Sequence, residues 1–141
     1  PDTSIADAPE LDVLLVPGGY GARVFARHDA AILQFIRETH ERGAWVVSVC
    51  TGALILANAG VLTGHHATTH HSAFDLLRET PNIDVVEDQR WIIEPPIATS
   101  AGVSAGVDLA LALLETWYGA ELKSAVAAQI EWGRMLVNGK Q

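Results

Sequence analysis

The sequence predicts an α/β layered fold with a mostly parallel sheet, and three observations carry that reading. Short β-branched apolar runs alternate with stretches of helical periodicity. Most of the strand-like runs end in glycines or other small residues. Four strand ends, at Gly18-Gly19, Cys50, His70 and Ser100, fall where the carboxyl edge of such a sheet opens a crevice for ligands.

In chain order, residues 1–10 are polar, with Pro9 near their end, and read as an approach loop. Residues 11–16 form an apolar strand, ended by Pro17-Gly18-Gly19-Tyr20-Gly21. That glycine run lets backbone approach a ligand closely, and its spacing matches neither phosphate-binding glycine motif. Asp29 is placed to cap a helix reaching about Arg42, with Ile32, Leu33, Phe35 and Ile36 on its apolar face and Gly43 as its stop. Trp45–Val49 is an apolar run rich in β-branched residues and bounded by Gly43 and Gly52, as a strand buried on both faces should be. Leu54, Ile55, Leu56 and Ala57 follow as good helix formers, ending near Gly60.

Residues 61–64 read as a turn and 67–69 as a short strand within His65–His71, while Ser72 is placed to cap a helix through Arg78. Residues 85–86 and 91–93 suggest two short strands joined by the acidic turn Glu87-Asp88-Gln89, with Glu94 on the same solvated hairpin. Ile97–Ser100 is a further strand. Gly102 and Gly106 flank the start of a long helix whose stripe Val107, Ala110, Leu111, Leu114, Trp117 has helical spacing. Gly119 breaks it, and a last helix carries Leu122, Val126 and Ile130.

The 141 residues suit one domain, 1–141, with no repeat and no second module. Hydrophobic residues make up 49% and charged ones 18%, which excludes a disordered chain. The net charge of -8 argues against nucleic acid and against an anionic membrane surface as partners. A single cysteine rules out an internal disulfide. No apolar run is long enough for a membrane span and no leader peptide is recognisable, so a cytoplasmic protein is expected.

That one cysteine carries the chemistry. Cys50 stands where a buried strand turns sharply into a helix. Such an elbow lifts one side chain above the sheet. The helix start behind it offers unpaired N–H groups and a partial positive charge, which suit an anionic nucleophile. His65, His66, His70 and His71 lie on loop and strand with no second cysteine, so no metal is expected. Asp108 reads as a brace for the long helix. Ser100 and Ser104 can bond loop backbone, and Trp91, Trp117 and Trp132 read as core or interface residues.

Val16-Pro17-Gly18-Gly19, Val49-Cys50-Thr51-Gly52-Ala53, Ala67-Thr68-Thr69-His70 and the stretch from Thr99 to Asp108 resemble the ThiJ/PfpI superfamily over nearly the whole chain. The resemblance implies a three-layer sandwich of flavodoxin-like, class I glutamine amidotransferase-like form, with the nucleophile elbow at Cys50. It points most to the isocyanide hydratase branch and to the amidotransferase-like domains of AraC-type regulators. It implies Cys50 as nucleophile and Thr51 as its hydroxyl neighbour. It also implies oxyanion-type N–H groups at Gly19 and Tyr20, with His70 and Ser100 near the substrate. Thr51 stands where protease-like members carry histidine, which disfavours peptidase activity.

Family members begin with a strand and helix bearing an Asp or Glu near the sulfur. The resemblance starts after that region, so the domain is expected to lack its first strand and helix and to leave a sheet edge open. A separate N-terminal segment could supply the acid. The expected reaction is hydration of a small-molecule isocyanide to an N-substituted formamide through a covalent Cys50 thioimidate, with no cofactor and in a homodimer. The alternatives are glyoxalase or deglycase chemistry on α-oxoaldehydes, a non-catalytic ligand-sensing domain of an AraC-type regulator, and a cysteine redox sensor.

Overall fold

The computed structural model describes residues 2–133. By contact density the chain divides into Pro1–Leu109 and Ala110–Gln141. The first unit contains β1 (Val13–Val16), α1 (Tyr20–Val24), α2 (Ala30–Glu41), β2 (Trp45–Val49), α3 (Gly52–Ala59), β3 (His66–Ala67), α4 (Phe74–Arg78), β4 (Asp84–Val85), β5 (Trp91–Glu94) and β6 (Ile97–Ser100). α5 (Ala105–Tyr118) crosses the division, and α6 (Ala120–Gln129) belongs to the second unit.

The main sheet has the order β1-β2-β6-β5. β1, β2 and β6 run parallel, with Val16 opposite Ser48 and Val49 opposite Ser100, and β5 returns antiparallel to β6. The register aligns the carboxyl ends of the three parallel strands, so the loops after Val16, Val49 and Ser100 emerge together. β1 is an edge strand, and Leu15 on it is 58% exposed.

Alternation along β2 divides the two faces. Val46 joins Ile36 of α2 and Leu54 and Leu56 of α3 in the main core. Val49, on the opposite face, meets the start of α5, where a side-chain carbon on Gly106 would sit 3.0 Å from a Val49 methyl. The result is a mixed, mostly parallel sheet with helices on both sides, the α/β sandwich that the sequence predicts. Asp29 caps α2 as expected, its Oδ1 accepting from Ala31 N (2.9 Å) and Ile32 N (3.1 Å). Every residue of α3 except Asn58 is buried, which is why its sequence shows no polar face.

The hairpin suggested at 85–93 does not form. β4 instead pairs in parallel with β3 as a separate two-stranded sheet, while β5 joins the main sheet. Glu94, half-buried, binds histidines: Oε2 lies 2.8 Å from His65 Nδ1, Oε1 lies 2.6 Å from His66 Nδ1, and His66 Nε2 lies 3.1 Å from Asp84 Oδ2. Glu87 pairs with Arg78. Ser72 is not a helix cap; His70 caps a single 3-10 turn at His71–Ala73 ahead of α4.

Burial pushes the Glu94 carboxyl up, but hydrogen bonds from His65, His66 and the His66 N–H, with the His66 charge, hold it below the ordinary carboxylate range. A depressed carboxyl stabilises the fold above its unfolded-state value and loses that contribution as pH falls through its folded value. Thermal melts should therefore show a Tm that drops on acidification below about pH 4. Glu94→Gln is expected to flatten the part of that slope Glu94 carries, at a cost of about 1 kcal/mol at neutral pH.

In the second unit, Gly119 (φ 90) separates α5 from α6, and Lys123 pairs with Glu115 across the break. Tyr118 and Ile130 are exposed. Among the described residues no helix is long and apolar enough to cross a membrane.

Candidate active site at the Cys50 elbow

Cys50 turns β2 into α3 with φ 61, the left-handed region that a non-glycine residue enters at a cost of roughly 1–2 kcal/mol. The surroundings impose this conformation. Cys50 N–H donates to Ser100 O (3.1 Å) and Ala101 O (3.2 Å) at the end of β6, and Cys50 O accepts from Thr69 Oγ1 (2.8 Å). Strand ends from two neighbouring segments thus hold both backbone polar groups of the cysteine, while its side chain stays half-buried.

The loop after β1 closes the other side. A side-chain carbon on Gly18 would stand 2.6 Å from Thr51 N and 2.8 Å from Cys50 Cβ, and one on Gly52 would run into the Val16 carbonyl oxygen. Glycine is needed at both positions because backbone packs directly on backbone. Thr51 is buried, and its hydroxyl accepts from Gly19 N (2.9 Å) and donates to Gly19 O (3.2 Å). The Gly19 N–H that sequence reasoning assigned to a developing charge is therefore given to Thr51, which makes Thr51 the clamp of the loop. Tyr20 begins α1, and its ring lies edge-on to Phe25 with centroids 6.1 Å apart.

Ser100 is buried, with Oγ donating to Ala101 O (3.2 Å) and its carbonyl receiving Cys50 N–H, so it braces the elbow from below. His70 directly follows Thr69. Its Nδ1 accepts from Ser72 N (3.2 Å) and lies 2.9 Å from Ser72 Oγ. Its ring lies tilted by 35° against His71, with centroids 4.3 Å apart, and rests on Gly102, where any side chain would overlap Cδ2. Arg90 ties the loop above to α5: Nε lies 2.8 Å from Asp108 Oδ2, Nη2 reaches Ser104 Oγ at 3.3 Å, and its carbonyl receives Ala101 N–H. Asp108 is thus a brace, as the sequence suggests.

The structure brings Cys50, Thr51, Gly19, Ser100 and His70 into one linked network, and Tyr20 adjoins it. Sequence reasoning missed Thr69, Ser72, Arg90 and Arg23, whose Nη2 donates to the Ser72 carbonyl oxygen, as members of it. Thr69 and Ser72 could be suspected from standing next to His70, but Arg23 and Arg90 meet their partners only through the fold. Among the described residues no group of three or more His, Cys, Asp or Glu is placed to hold a metal ion.

The chain is thus an α/β sandwich with a cysteine at a left-handed strand-to-helix elbow, clamped by the loops of two flanking strands. A model of the DJ-1/PfpI family matches residues 1–116, and the chain belongs to that family. It is 39% identical to the isonitrile hydratase of Pseudomonas putida over 132 residues, covering 94% of this chain and 57% of that protein. It is 35% identical to the HTH-type transcriptional regulator CdhR of Pseudomonas aeruginosa over 135 residues, covering 95% of this chain and 39% of the regulator. Among solved structures, a ThiJ/PfpI family protein from Pseudomonas syringae superposes with a TM-score of 0.82 at 31% identity, covering 92% of this chain and 53% of that one. The chain thus spans 57% or less of the length of these proteins.

Proposed function

We propose that the protein hydrates isocyanides to N-substituted formamides through a covalent bond to Cys50. The observation that carries this reading is the left-handed, doubly anchored Cys50 at the N-terminal end of α3. Strain of this kind is kept where function needs it, and the positive end of a helix suits an anionic sulfur. The 39% identity to an isonitrile hydratase supports the substrate class.

In the proposed reaction, the Cys50 thiolate forms a bond to the terminal isocyanide carbon, and that carbon takes a proton. The product is a thioimidate, R–N=CH–S. Water adds to the same carbon and the nitrogen takes a second proton. The carbon–sulfur bond then breaks, returning the thiol and releasing R–NH–CHO. Thr51 holds the Gly18-Gly19 turn beside Cys50, and the His70 ring lies on Gly102. Steady-state assay of formamide production from an alkyl isocyanide tests the reading, and methylglyoxal serves as the comparison substrate. The reading includes a homodimer, which sedimentation tests.

Gly102→Ala supplies a second check. The added methyl meets the far end of the His70 side chain, not backbone, so a stability loss below about 1 kcal/mol is expected. Displacing the His70 ring should nonetheless slow formamide production by about tenfold or more.

A specific observation favours one other reading, a ligand-sensing domain. The match to the CdhR regulator covers 95% of this chain. On that reading an isocyanide or other small molecule binds without turnover, and Cys50→Ala leaves binding unchanged in calorimetry.

A further inference from the structure

A peptide group is rigid and planar, so the two groups that flank a Cα settle its φ and ψ. They also settle the direction in which its side chain leaves the backbone. At Cys50 both groups are held. The N–H donates to Ser100 O (3.1 Å) and Ala101 O (3.2 Å). The carbonyl accepts from Thr69 Oγ1 at 2.8 Å and from Ala53 N at 3.4 Å. The Ala53 contact is long for a hydrogen bond, so the Thr69 hydroxyl is the firmer hold on the second group. The acceptors of the N–H are main-chain atoms, whereas this hold is a side chain that one substitution removes. Thr69 is itself well supported. It is fully buried, as is Thr68, whose N–H donates to Thr99 Oγ1 (3.0 Å) and whose hydroxyl donates to Gln89 O (3.4 Å). Buried hydroxyls keep such partners because no water is at hand to replace them.

We infer that Thr69 is a positioning residue for Cys50: its hydroxyl holds the cysteine carbonyl so that the residue stays at φ 61 with its thiol presented for reaction. A left-handed cysteine persists only where its surroundings over-determine it. Without the Thr69 donor the second peptide group can turn, and the residue relaxes toward the regions that side chains prefer. The Cα–Cβ bond turns with it. The sulfur then loses its place at the N-terminal end of α3, where the helix suits an anion. Thr69 acts through the cysteine main chain, from 19 positions further along the chain. The inference rests on the reading of Cys50 as a reactive thiol and adds the residue that keeps that thiol in place.

The chain has one cysteine, so cysteine labelled with carbon-13 and nitrogen-15 gives NMR signals from Cys50 alone, and its Cα and Cβ shifts report φ and ψ. The experiment records them for the native chain, Thr69→Val, Thr69→Ala and Thr69→Ser, with the rate of Cys50 alkylation by iodoacetamide and steady-state kinetics on an alkyl isocyanide. Thr69→Val keeps the branched shape and loses the donor. Its Cys50 signals should leave their left-handed values, alkylation should slow about fivefold, and kcat should fall by a similar factor with KM within about twofold. Thr69→Ala loses the same donor without setting a methyl against the Cys50 carbonyl; it should give the same changes and carries the test if Thr69→Val does not fold. Thr69→Ser keeps the hydroxyl and should restore all three readouts. Cys50 signals that stay native without the hydroxyl overturn the inference. So does a change in those signals with alkylation at the native rate or faster, and so does a Thr69→Ser that behaves like Thr69→Ala. A native chain that forms no formamide, while signals and alkylation respond as stated, defeats the hydratase reading and leaves the role of Thr69 standing.

Discussion

Cys50→Ala should abolish formamide production, with a loss on the order of 10³-fold or more in kcat, because no other side chain of the linked site can form the carbon–sulfur bond. The same position offers a stability readout of opposite sign. Cys50 holds φ 61, which glycine enters without steric penalty. Cys50→Gly should therefore raise the unfolding free energy by about 1 kcal/mol while eliminating turnover. Denaturant unfolding and steady-state kinetics on the two variants separate the roles. A site kept for packing alone would show neither the gain nor the loss.

Gly52→Ala should be the most destabilising small substitution in the elbow. At an ordinary helix position this change gains up to about 1 kcal/mol. Here the new methyl would overlap the Val16 carbonyl oxygen and stand 3.1 Å from the Pro17 carbonyl carbon and oxygen. Those are main-chain atoms at the end of a paired strand, with no rotamer to retreat into. A loss of about 3 kcal/mol is expected, read as a shift of the urea midpoint, together with loss of the Cys50 environment. The opposite sign would mean that α3 can slide away from β1, and the elbow would then not be the rigid element described.

The parts of the fold that the sequence displays are those governed by local pattern. β2 is legible because a run rich in β-branched residues, Trp45–Val49, is bounded by Gly43 and Gly52, and α2 because Asp29 and its apolar face sit at helical spacing. The elbow at Cys50 follows from the same pattern, since strand passes to helix with only small residues between. The partition of 84–94 between two sheets is not legible. It depends on Glu94 meeting His65 and His66, residues 29 and 28 positions away in the chain.

Within the site, residue types announce Cys50, Thr51 and His70, but not what each is bonded to. Thr51 reads as a neighbour of the thiol, whereas its hydroxyl is committed to the Gly19 backbone. Short helices such as α1 carry no capping side chain, so the glycine-rich stretch before it gives no sign that a helix begins at Tyr20.

The most direct measurement is intact-mass spectrometry of the protein quenched in acid during reaction with an aryl isocyanide, followed by peptide mapping. The account predicts a species heavier by the mass of one isocyanide, with the added mass on the peptide containing Cys50, absent from Cys50→Ala. Turnover to the formamide with no such species, or with the added mass on another residue, contradicts it.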